Sequence, residues 1–243
     1  MSNFPANIIC ETSTITDGNM SFGFGDIHEV LDNRTQFLAK NEIQFKNHIC
    51  MKCDHGDIIT PIDWSNIPTT SSETSPPENM IVSEVLVTKE KGLALMLLTA
   101  DCLPVSFYDP VTQTIALVHF SRQTIADMLP KKTVAFLHEH SHTDPSDLLV
   151  HIGPYIHTES YSFPLPQPDL SPAIAPFVSK TDTQAHIDLL SACIQQLTDA
   201  GVFTKNITSS DVDTAISQNH FSHFRSIKQN SPEGRLATIL IQR

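Results

Sequence analysis

Two neighbouring apolar runs decide how this chain is read: Leu98-Thr-Ala-Asp-Cys102-Leu-Pro-Val-Ser-Phe-Tyr-Asp-Pro110 and Ile115-Ala-Leu-Val-His119. Their apolar cores, Val105–Tyr108 and Thr114–His119, have strand length, and Asp109-Pro110 supplies the turn between them. The pair sets a thiol, Cys102, and an imidazole, His119, at the ends of adjacent strands. Both donors are soft enough to hold zinc or copper. Upstream, Cys53-Asp-His-Gly-Asp57 offers a third donor, His55. Two histidines and one cysteine make a three-ligand site with one position open, an arrangement suited to chemistry rather than to a structural staple.

Working outward, strand-like runs and helical periodicities interleave. Strands are expected in Ile8–Ser21, in Ile49–Ile59 around the Asp-His-Gly break, and over Met80–Val87, Ala94–Leu98, Asp147–Ile152, Ile207–Ser209, Phe221–Phe224 and Leu236–Ile241. Apolar spacing predicts helices over Asp26–Glu42, Thr124–His140 and Thr183–Ala200. In the last of these Ile187, Leu190, Ile194 and Leu197 share a face, Thr181 or Asp182 can cap it, and Gly201 sits at its C-terminal stop. Residues 61–79 and 163–178 read as irregular loops, and no internal repeat is visible. The expectation is an α/β class of the mixed α+β kind: mixed β-sheets flanked by helices, one domain over residues 1–243.

Composition narrows the partners. The net charge of −12 leaves no basic stripe to neutralise phosphates, which argues against nucleic acid. A small anionic substrate remains compatible, because a local pocket can oppose the overall field. The apolar runs are strand-length rather than membrane-spanning, and the N-terminal residues lack a basic stretch and a long apolar stretch. A cytoplasmic protein, monomeric or weakly dimeric, is the expectation. Five cysteines (10, 50, 53, 102, 193) are an odd number for a disulfide framework.

Three further patterns compete for attention. Cys50-Met-Lys-Cys53 is a Cys-x-x-Cys, but Cys102 and Cys193 do not form the second close pair of a zinc ribbon. His138-Glu-His-Ser-His142 matches the letters of the zinc-protease pattern, yet Thr143-Asp-Pro145 ends the helix immediately after it. Histidines at a helix end also suit the macrodipole and solvent. Phe221-Ser-His-Phe-Arg225 and Gly234-Arg235 could each supply an anion-binding arginine, or simply surface charge.

Taken together, Thr99-Ala-Asp-Cys-Leu-Pro-Val105 with Tyr108-Asp-Pro110 resembles the signature of the YfiH family. These are laccase-domain proteins, once labelled multicopper polyphenol oxidoreductases and now described as purine nucleoside phosphorylases with adenosine deaminase activity. Other segments follow in the family's order. Asn33-Arg34 lies on the first helix, Asp54-His-Gly56 sits at Gln-Val-His-Gly, and Val118-His119 at Val-His-Ala-Gly-Trp-Arg-Gly. Gly153-Pro-Tyr-Ile156, Ile187-Asp-Leu189, Ala200-Gly-Val202, Phe221-Ser222, Arg225 and Gly234-Arg235 continue the match along nearly the whole chain.

The resemblance implies that His55, Cys102 and His119 hold zinc or copper, with Asp101 as a residue that orients the site. It implies phosphorolysis of a purine nucleoside, adenosine deamination by metal-activated water, or both. Arg225, Arg235 or Arg122, with Asn33 and Arg34, would bind nucleoside and phosphate. The chain departs from the pattern in three places. His119-Phe-Ser-Arg122-Gln123 replaces His-Ala-Gly-Trp-Arg, Glu159-Ser-Tyr-Ser162 replaces Cys-Cys-Tyr-Glu, and the family's Cys-Thr before the C-terminal strand is absent, with Val212-Asp-Thr214 nearby instead. Those losses keep two other readings open. Cys102 and His119 could be the nucleophile and base of a cysteine hydrolase, or the chain could be a non-catalytic binding member.

Overall fold

Three times the chain passes from the first large sheet into the second, and those three crossings build the site. The computed structural model describes residues 2–67, 80–165 and 170–243. Its strands in chain order begin with β1 (Ile8–Thr12), β2 (His48–Lys52), β3 (Ile59–Pro61), β4 (Met80–Val82), β5 (Val85–Thr88), β6 (Ala94–Thr99) and β7 (Leu103–Asp109). They continue with β8 (Thr114–Phe120), β9 (Leu149–Ile152), β10 (Ser162–Pro164), β11 (Val178–Lys180), β12 (Gln184–Ile187), β13 (Ile207–Ser209) and β14 (Leu236–Gln242). The helices are α1 (Ile27–Lys40), α2 (Arg122–Ala126), α3 (Leu129–Ser141), α4 (Leu189–Asp199) and α5 (His223–Gln229).

The first sheet runs β1-β14-β6-β2-β4 and the second β13-β9-β7-β8-β5-β3; β10-β12-β11 forms a small antiparallel sheet of its own. Within the first sheet β2 is parallel to both β4 and β6. All three therefore point the same way, and each continues directly into the second sheet as β3, β5 and β7.

Side-chain alternation makes the layers. Ile49, Met51, Leu95, Leu97, Ile115 and Leu117 fill the space between the sheets. The opposite faces of the first sheet's strands, Cys50, Met96 and Ile239, pack on Phe37 and Leu38 of α1. Val105, Phe107, Val118 and Phe120 of the second sheet pack on Leu129, Leu137 and Leu197 of α3 and α4. The order is therefore α1, sheet, sheet, α2–α4, the mixed α/β class that the interleaved pattern implies. β6, β7 and β8 are covered on both faces, which is why they read as continuous apolar runs rather than alternating ones. Each such side chain removed from water contributes roughly 2 kcal/mol.

Several expected elements shift. The helix expected over Thr183–Ala200 is a strand, β12, and then a shorter helix, α4. Asp188 caps that helix by accepting from Ser191 N at 2.8 Å. The helix expected over Thr124–His140 is two helices, separated by Met128 in the left-handed region. Pro130 takes the early position of α3, where its missing N–H is tolerated. Phe221–Phe224 is not a strand; Ser222 accepts from Arg225 N and caps α5. Met80–Val87 is split between the two sheets at Ser83-Glu84. Of the expected loops, 61–79 begins with the end of β3 and a short 3-10 turn, and residues 68–79 lie outside the described residues. The loop over 163–178 includes most of β10, a 3-10 turn and the first residue of β11, and 166–169 lie outside the described residues. Among the described residues no helix is long and apolar enough to cross a membrane.

Candidate metal centre

Each crossing between the sheets carries part of the site. The link from β2 to β3 holds Cys53 and His55, that from β4 to β5 holds Glu84, and that from β6 to β7 holds Asp101 and Cys102. His119 comes from β8, and the antiparallel register sets it opposite Pro104, at the end where β7 begins. His119 N also donates to Glu84 O at 2.9 Å, so the fifth strand's entry and the eighth strand's exit meet.

Glu84 organises this seam. Its side chain is wholly buried, and both carboxylate oxygens are used. Oε1 accepts from Asp54 N and His55 N, each at 2.7 Å, which fixes the loop carrying Cys53 and His55. Oε2 meets His119 Nδ1 at 2.6 Å. A buried carboxylate is tolerated only when its oxygens are satisfied in this way. The clamp fixes the His119 ring and leaves Nε2 as its other donor atom. His55 is held likewise, with Nδ1 at 3.1 Å from Ser121 Oγ, and the two rings lie 5.2 Å apart.

A cavity of about 390 Å³ opens onto this group, within the usual range for small-molecule sites. Cys53, His55, Cys102 and His119 all line it, with Lys52, His223 and Arg235 among its polar neighbours. Cys53 Sγ, a Glu84 oxygen and a His119 nitrogen lie within 4.8 Å of one another. Burial opposes protonation of His119, but the neighbouring Cys53 and Cys102 sulfurs outweigh burial and hold its pKa well above the ordinary range. Burial, reinforced by His119, pushes His55 downward, toward the neutral imidazole that binds metal. Two residues of the crossings, His55 (φ 64°) and Asp101 (φ 93°), occupy the left-handed region, which side chains enter only when the surroundings hold them there.

The donors therefore fit a soft or borderline divalent metal. Two imidazoles are tied back through Nδ1, and thiols line the same cavity. The side-chain contacts of Glu84 go to the crossing that carries Cys53 and His55 and to the His119 ring, so it positions both.

The other expected site residues are placed elsewhere. Asp101 is buried, and its oxygens accept from Thr214 Oγ1 at 2.6 Å and Phe224 N at 2.7 Å. It holds the Cys102 crossing against α5 rather than orienting a histidine. Arg225 gives its guanidinium to the carbonyls of Thr214, Ala215, Ser217 and His220. Arg34 is buried on α1, donates to Met20 O and lies 4.4 Å from the Phe22 ring centroid; Asn33 donates to Asn19 O. Both brace the 19–22 segment and do not line the cavity. Arg122 is exposed, 5.4 Å from the Phe163 ring centroid, and Gln123 borders a neighbouring shallow cavity with His55. Arg235 alone of the expected arginines lines the main cavity, paired with Glu233 at 2.5 Å.

Glu84 escapes a reading based on ligand spacing. Its signal is a lone carboxylate inside Met80-Ile-Val-Ser-Glu84-Val-Leu-Val87, a run otherwise apolar enough to be buried.

Fold and seam together define a mixed α/β protein whose sheet crossings converge on a His/Cys cleft. The chain belongs to the YfiH-type family described as multi-copper polyphenol oxidoreductase laccase, whose model matches residues 10–243. It is 27% identical over 215 residues to a purine nucleoside phosphorylase YlmD of Geobacillus stearothermophilus, covering 85% of this chain and 78% of that one. It is 30% identical to a purine nucleoside phosphorylase of Streptomyces coelicolor over 63% of this chain and 62% of that one. A Clostridium acetobutylicum purine nucleoside phosphorylase matches at 28% over 46% of this chain; the match spans 43% of that relative's length. The crystal structure of YlmD from Geobacillus stearothermophilus shares the fold, with a TM-score of 0.84 at 24% identity over 98% of this chain and 93% of that one.

Proposed function

We propose that this chain is a metal-dependent enzyme acting on purine nucleosides, cleaving the N-glycosidic bond with phosphate. The observation that carries this reading is the convergence of His55, Cys102 and His119 on one cavity that Arg235 also lines. The purine nucleoside phosphorylase names of relatives from three genera support the substrate class. Bound at these donors, a zinc ion would supply Lewis-acid polarisation.

The remaining work falls to side chains. In phosphorolysis a phosphate oxygen forms a bond to C1′ while the bond from C1′ to the purine nitrogen breaks. The electron pair leaves with the base, which takes a proton, and ribose 1-phosphate is the other product. Arg235 and Lys52 line the cavity together with His223, and these three side chains would hold phosphate. Glu233 already pairs with Arg235 at 2.5 Å and with His223 at 3.1 Å, so it keeps both in place until an anion competes for them. Adenosine deamination belongs to the same cavity as a companion activity, and zinc is the metal that this donor set suits best.

A second reading rests on shared placement. Cys102 and His119 line one cavity, as the nucleophile and base of a cysteine hydrolase would. Chelation separates the two, since a thiolate hydrolase keeps its activity without metal.

The test is elemental analysis combined with turnover of inosine and adenosine, with and without phosphate. The reading expects about one zinc per chain and release of free base that requires phosphate. Both are lost in the Cys102→Ala/His119→Ala double variant. Full activity in a metal-free preparation would contradict it.

A further inference from the structure

We infer that His223 is the residue by which this cavity tells hydrogen phosphate from sulfate: its Nε2 presents a lone pair beside Arg235, and an anion must bring an O–H to meet it. The inference rests on the reading that the cavity takes phosphate. It goes beyond that reading by naming the ring atom that meets the anion and the competing anion that this atom rejects.

Two imidazole–carboxylate pairs meet at this cleft in different settings. His119 with Glu84 is buried, whereas His223 is half exposed and pairs with Glu233. Glu233 Oε1 accepts from His223 Nδ1 at 3.1 Å and from Arg235 Nη1 at 2.5 Å, and Oε2 accepts from Ser226 Oγ. Burial favours protonation of Glu233, but those three donors outweigh burial and hold its carboxyl below the usual range. A carboxylate accepts and does not donate. The N–H of the neutral His223 ring is therefore fixed on Nδ1, and Nε2 is left as an acceptor. Glu233 does not line the cavity, whereas His223 and Arg235 both do. One oxygen thus holds both side chains and leaves their other atoms to the cavity. Among the described residues Nε2 has no protein partner, and Nη1 is the one guanidinium nitrogen of Arg235 in a hydrogen bond. The guanidinium also lies 4.2 Å from the Phe24 ring centroid, which steadies it.

The consequence is an anion subsite that combines donors with an acceptor. Arg235 and Lys52 attract any dianion of the right size. His223 Nε2 adds a condition that only an oxyanion carrying a proton meets. Near pH 8 phosphate is a dianion that still carries one O–H, whereas sulfate is a dianion that carries none. Against sulfate, two lone pairs face each other with no hydrogen between them, so a hydrogen bond is lost and repulsion is added. The two anions match in charge and shape, and the discrimination falls on this one contact.

The experiment uses the full chain as purified, at about pH 8 and constant ionic strength, and measures binding of inorganic phosphate and of sulfate by calorimetry. In turnover of inosine the same comparison is KM for phosphate against the inhibition constant of sulfate. Wild type is expected to prefer phosphate by at least about 10-fold. His223→Ala is expected to lose about 10-fold in phosphate affinity and little in sulfate affinity, so that the preference disappears. His223→Lys, whose ammonium only donates, should raise sulfate affinity and erase the preference as well. Lys52→Met should weaken both anions alike and keep the preference. A His223 that merely braces the fold would weaken both anions equally when replaced by Ala. That result, or equal binding of the two anions by wild type, overturns the acceptor and leaves the phosphorolysis reading standing. Binding of neither anion, with no phosphate-dependent release of base from inosine, overturns that reading itself.

Discussion

The seam between the sheets and the end of α3 carry the same kinds of side chain in opposite settings. At the seam, donors far apart in sequence arrive at strand ends, and a buried carboxylate holds them. At the end of α3, His138, Glu139, His140 and His142 are close in sequence and all exposed. His138 bonds Thr143 O at 2.9 Å, His140 stacks on Phe136 at 4.1 Å, and His142 caps the helix in the left-handed region. Each of those histidines completes a helix terminus, and none is aimed at a common point by a partner of its own. Sequence proximity gives a motif its letters; strand crossings and a carboxylate that fixes ring orientation give a site its geometry.

The sharpest way to break this contrast is Glu84→Ala. It strips the acceptor from two backbone N–H groups and from His119 Nδ1 in a buried setting. A loss of about 3 kcal/mol or more is expected in urea unfolding, with metal binding weakened roughly 10- to 100-fold. A loss under about 1 kcal/mol would mean that the seam does not depend on its carboxylate.

Acid should find two histidines of the sheets, His48 and His151. Burial, with Arg34 adding to it, pulls His48 down to about 4, and burial takes His151 to about 4. Both are neutral when folded and take up protons near pH 6.5 when unfolded. Their contribution is therefore complete above pH 6.5 and is lost as pH falls toward 4. The slope is at most about 1.4 kcal/mol per pH unit for each group, and less for the partly exposed His151. Unfolding free energies measured from pH 7 to 4 should show a shallower acid limb in His48→Gln. An identical limb would remove His48 from the account.

Asp101→Ala should cost about 2 kcal/mol, because it abandons the hydroxyl of Thr214 and the N–H of Phe224. Denaturation midpoints check this. A neutral result would show that the Cys102 crossing is held by its strands alone. The smallest effect belongs to the other region. Gln at positions 138, 140 and 142, singly, should stay within about 0.5 kcal/mol of wild type in thermal melts. A larger change would give that helix end a role beyond solvation.

Much of this was legible from residues. The strands β6 to β8 stand out because burial on both faces writes unbroken apolar runs, and Asp26, a good cap, announces α1. The segment before α4 was not legible as a strand, because Ile187 continues the helical spacing of Leu190, Ile194 and Leu197. The competing signal, buried Ala185 and Ile187 alternating with Gln184 and His186, spans only four residues. Phe221-Ser222 reads as strand by composition, yet Ser222 is positioned to cap and does so. At the site, donor types were legible, but their supports were not. Glu84 and the role of Asp101 depend on which crossings meet, and that is a property of topology rather than of spacing.

The most direct measurement is the zinc content of purified protein, by elemental analysis, in three forms: wild type, Cys102→Ala/His119→Ala, and His138→Gln/His140→Gln/His142→Gln. The account expects about one zinc in the wild type and the helix-end variant and almost none in the seam variant. Zinc retained by the seam variant, or lost from the helix-end variant, would contradict it.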